Sequence, residues 1–67
     1  MNVNIRDYIK NNFKGASANE IEESITSSIE SKEEVVLPGL GVLFEILWQN
    51  IENKEKDDIL SVLVNHM

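Results

Sequence analysis

The sequence predicts an all-α domain, a small bundle of about four short helices around a central apolar helix. Three observations predict it. Apolar residues recur at three- and four-residue spacing in successive segments. Helix start and stop signals separate those segments. One segment, from Pro38 to Ile51, is apolar on more than one side, as a central or shared helix must be. Sixty-seven residues allow one domain spanning 1–67, with a modest core.

Residues 2–14 read as the first helix. Ile5, Tyr8, Ile9 and Phe13 form one stripe, Asn2 or Asn4 can cap its start, and Gly15 is a natural stop. Ser17 and Glu20 then have the spacing of a capping box, in which each side chain accepts from the other residue's backbone N–H. The second helix carries Ile21, Ile25 and Ile29 on a narrow stripe among serines and is expected to end near Ser31 or Lys32. Residues 33–37 read as a connector, because Pro38 biases Leu37 away from helical dihedrals.

Proline suits the first position of a helix, so the third helix is expected to start at Pro38. Leu40, Phe44, Leu47, Trp48 and Ile51 share its main face, with Val42, Leu43 and Ile46 on the flanks. Asn53 is the expected cap of a fourth helix with Ile59, Leu60, Leu63 and Val64 turned inward. A rival reading makes the middle an α+β arrangement, with a short hairpin at residues 35–44 around Pro38, Gly39 and Gly41.

Composition narrows the function classes. There is no Cys and one His, so a disulfide or a Cys/His metal site is excluded and no metal or cofactor is expected. The adjacent acids Glu33–Glu34 and Asp57–Asp58 diverge and make poor acid/base pairs, and no motif frames a nucleophile near His66. Gly39 and Gly41 lack the third glycine and the lysine of a phosphate cradle and read as a tight turn with close packing. The chain reads as no enzyme. No apolar signal core opens it and its apolar run is too short to span a bilayer, so the expectation is a soluble intracellular protein with no membrane partner.

The net charge of −6 opposes nucleic-acid wrapping. Arg6, Lys10 and Lys14 nonetheless form a basic stripe on the first helix, able to face solvent, an acidic surface or phosphate. Glu45 is the lone charge within the apolar helix. It either points outward or takes a cation partner, Arg6 first and Lys10 second, because a guanidinium can hold a carboxylate with two bonds. The apolar excess at Val42 and Ile46, together with Val35 and Val36, predicts self-association as a homodimer.

The run from Leu37 to Glu45, reading LPGLGVLFE, continues into Ile46, Leu47, Trp48 and Gln49. It resembles the signature of the small acid-soluble spore protein I family, and Asn4, Ile5 and Arg6 are similar to that family's opening. The resemblance is strongest over residues 33–49. It implies a protein made in the forespore and stored in the spore core of endospore-forming bacteria. It supplies no mechanism and no catalytic or binding residues. The leading expectation beside it is a self-associating structural or interaction protein, with an unknown spore-core protein as a further possible partner. A nucleoid-associated DNA binder using the basic first helix is the alternative.

Overall fold

Asn4 begins the first described helix: its side-chain oxygen accepts from the Asp7 N–H at 3.2 Å, satisfying a donor that the first turn cannot. The computed structural model describes residues 4–67, so Asn2, the other candidate cap, lies outside the described residues. Helix α1 runs Ile5–Phe13, and Gly15 takes a φ of +81° just beyond it. Helix α2 runs Ala18–Ser31 and opens with the Ser17/Glu20 capping box, whose two bonds are each 3.2 Å. At its end Lys32 adopts a left-handed φ of 56°. Ser31 braces this stop by donating to the Ser28 carbonyl and accepting from the Glu33 N–H.

Helix α3 spans Leu37–Asn50 and α4 spans Asn53–Asn65. The architecture is all-α, with no strand among the described residues. The hairpin reading of 35–44 is therefore corrected: Glu34–Val36 is a 3-10 turn that runs straight into α3. Leu37 is helical, with φ −60° and ψ −42°, against the extended conformation expected before proline. Pro38 lies in the first turn, where its missing N–H would have had no partner, so the local bias yields to continuation of the helix. Gly39 and Gly41 are helical as well, not a turn. The cap of α4 is also one residue earlier than expected. Glu52, not Asn53, precedes the helix, and its N–H donates to the Glu55 carboxylate at 3.2 Å.

The core is small. Val42 alone among the described hydrophobic residues is buried, at 6% exposure. It lies beneath α1, on the same flank of α3 as Pro38 and Glu45. This corrects its expected place on a spare surface. Trp48 is half-buried rather than a core residue. On α4 only Ile59 of the four expected inward residues is half-buried; Leu60, Leu63 and Val64 are exposed. Ile5 and Tyr8 of α1 and Ile29 of α2 are exposed in the same way.

The arrangement is open for its size. Its radius of gyration is 13.3 Å, whereas a compact domain of this length has about 11 Å. Its accessible surface is 5887 Å², against roughly 4,300 Å² for a compact chain of this mass.

Candidate interaction site

The flank of α3 beneath α1 holds the one ion pair among the described residues. Arg6 Nε donates to Glu45 Oε1 at 2.8 Å and Arg6 Nη2 donates to Oε2 at 2.9 Å, a two-bond fork. The Asn4 cap starts α1 two residues earlier and so orients Arg6 toward α3. Hydrogen bonding from Arg6 holds the Glu45 carboxyl below its ordinary range, with Lys10 adding a smaller attraction. The same bond raises the already high pKa of Arg6. Both groups meet solvent, the Arg6 side chain at 66% and Glu45 at 38%, so the pair orients α1 more than it stabilises the fold.

Ile5, Arg6, Pro38, Gly41, Val42 and Glu45 line an open groove of about 390 Å³ on this flank. A Cβ at Gly39 would meet Ile9 Cδ1 at 3.6 Å, ordinary contact, and one at Gly41 would meet nothing within 4 Å. Close packing therefore requires glycine at neither position; nothing in the monomer explains Gly41.

The other side of α3 faces α2 and α4 across shallow apolar grooves. Ile21 and Ile25 of α2 look across about 460 Å³ toward Leu40, Phe44, Ile46 and Leu47. Toward α4, Phe44, Trp48, Leu60 and Leu63 border about 340 Å³. Phe44 and Trp48 stack with centroids 5.8 Å apart, and Lys56 Nζ lies 5.2 Å from the indole centroid, the reach of a cation–π contact. Lys56 is the contact that sequence reasoning missed. Its only sequence signal is a lysine in the first turn of the helix that follows the single tryptophan.

These surfaces bring together apolar side chains and one satisfied ion pair. Among the described residues no cluster of His, Cys, Asp and Glu could hold a metal, and no helix is long and apolar enough to cross a membrane. His66 caps the exposed end of α4 and donates its backbone N–H to Leu63. Of the basic stripe, Arg6 is engaged with Glu45, while Lys10 and Lys14 are exposed.

Residues 3–67 match the family described as Small, acid-soluble spore protein I. A protein of that name from Bacillus cytotoxicus is 43% identical over 63 residues, covering 94% of this chain and 90% of the relative. One from Halalkalibacterium halodurans is 46% identical over 59 residues, 88% of this chain and 87% of the relative. One from Shouchella clausii is 44% identical over 59 residues, 88% and 86% of the two. No solved structure matches the chain.

Proposed function

The chain belongs to the small acid-soluble spore protein I family, and from that premise we propose that it is a non-enzymatic protein of the spore core, made in the forespore and acting through protein–protein contacts. The observation that carries this reading is the chemistry of the α3 surfaces. Their grooves offer apolar contact area, and Glu45, the one carboxylate on them, is already held by Arg6. Such a surface suits binding to another protein better than bond making, which needs a reacting group and a partner base within hydrogen-bond reach.

The DNA-binding alternative has weaker support. A chain of net charge −6 whose basic stripe has one of its three cations occupied has few phosphate contacts to offer.

An epitope-tagged chain, followed through forespore development and then through coat-stripped and broken dormant spores, tests the location. Recovery in the core fraction is the expected result, and recovery with the coats refutes it. A gel shift with duplex DNA is expected to show no complex at physiological salt. A salt-sensitive complex lost on Arg6→Glu would favour the nucleoid reading instead.

A further inference from the structure

We propose that α3 is a self-association helix: the strip Leu37, Leu40, Phe44 and Leu47, with Ile51 just beyond its end, packs antiparallel against the same strip of a second copy, with Phe44 nearest the two-fold axis. This names the partner within the interaction reading above.

The spacing carries the first part of the argument. Leu37, Leu40, Phe44 and Leu47 alternate steps of three and four, the repeat that keeps one seam of a helix facing a partner helix; Ile51, extended just past the end of α3, adds apolar surface at its tip. Within the monomer the seam is open. Leu37 is 59% exposed, Phe44 41% and Leu47 45%. Leu40 and Ile51 are half-buried. Leu60 and Leu63 border the seam from α4, and Ile21 and Ile25 from α2, so an incoming helix meets apolar side chains on both sides.

Charge placement is the second part. Glu45 is the only ionisable residue of α3, and at 100° per residue it lies roughly a third of a turn from the seam. Arg6 holds it there. The seam residues therefore carry no charge themselves on a chain of net charge −6, with Glu45 and Lys56 at its border toward α4.

Area is the third. The surface exceeds that of a compact monomer by roughly 1,600 Å², and a stable complex removes about 800 Å² from each partner. An interface of that size removes about half of the excess, so the open surface leaves ample room for one seam and its flanks. Antiparallel pairing opposes the two helix dipoles and makes the contact self-complementary. Phe44 lies at the centre of α3 and so meets its own copy.

Sedimentation across the micromolar range tests the association, using the full chain. A concentration-dependent dimer that tightens with added salt is expected, because screening reduces repulsion between two acidic chains. Leu47→Glu should weaken it by about 30-fold or more, the loss seen when a hot-spot residue of an interface is removed, while circular dichroism checks that the helices persist. The chain has no cysteine, so Phe44→Cys introduces a unique thiol. Oxidation should link two copies at Phe44→Cys and leave Val62→Cys, on the outer side of α4, unlinked. A monomer at all concentrations overturns the proposal, whether it stays open or its own helices close over the seam to a radius of gyration near 11 Å. So does a dimer that tolerates Leu47→Glu and fails to link at Phe44→Cys. So does a purified monomer whose thiol at position 44 links only to a different spore protein. None of these outcomes bears on spore location, which fractionation tests separately.

Discussion

Replacing Val42 with alanine probes the small core where it is deepest. Val42 is 6% exposed beneath α1. The substitution removes two methyl groups, about 1.6 kcal/mol at ~0.8 kcal/mol per buried carbon, with a further cost for whatever void remains. Alanine returns roughly 0.5 kcal/mol because it is the better helix former. The net loss is about 1–2 kcal/mol. Val62 supplies the control. It is also a helical valine, but is 59% exposed, so Val62→Ala keeps the helix gain without the burial loss. The two variants should differ by about 1.5–2.5 kcal/mol, or roughly 6–20 °C in midpoint for a domain of this size. The assay is thermal and urea unfolding followed by circular dichroism at one fixed protein concentration, since association shifts apparent stability. Equal midpoints for the two variants would refute the placement of Val42 beneath α1 and with it the packing of α1 on α3.

Two further expectations follow from single contacts. Glu45 has a depressed pKa in the folded chain because Arg6 bonds its charged form. Its contribution is present above the unfolded glutamate value of about 4.3 and is lost as pH falls through the lower folded value. The stability gap between the parent chain and Glu45→Gln should therefore close in that acid window, and a double-mutant cycle with Arg6→Met should be non-additive at neutral pH; additive losses would remove the pair from the account. Glycine substitutions should split by sign. Gly41→Ala is expected to stabilise the chain by about 0.4–1 kcal/mol, since the position is helical with open space, whereas Gly15→Ala at φ +81° should destabilise it by more. Urea midpoints moving the same way for both would contradict these backbone conformations.

The parts of the fold legible in the sequence are those decided within one turn of chain. Asn4, Gly15, Ser17 and Glu20 carry their own hydrogen-bond logic, and the structure uses each of them locally. The Arg6–Glu45 contact was readable for a different reason: a single carboxylate in an apolar helix needs a donor, and few cations were available. Val42 was misread because a helical wheel shows which residues share a face but not which face a neighbouring helix covers. Leu37 was misread because the bias before proline is weak beside the pull of a 3-10 turn that runs directly into α3. Glu52 was missed because glutamate is a less usual cap than the asparagine beside it.

The Arg6–Glu45 fork also bears on how quickly the chain reaches its structure. Few of the chain's contacts join residues distant along it, and chains built that way fold in microseconds to milliseconds. Helices of this length form in about a microsecond. The fork closes a loop from Arg6 to Glu45, 39 residues further on, and closure cost grows only with the logarithm of loop length. If α3 pairs with a second copy as proposed, encounter between molecules sets the pace of the final state at low concentration. Refolding traces should show a fast phase independent of concentration, carrying the helical signal, and a slower one whose rate rises with it.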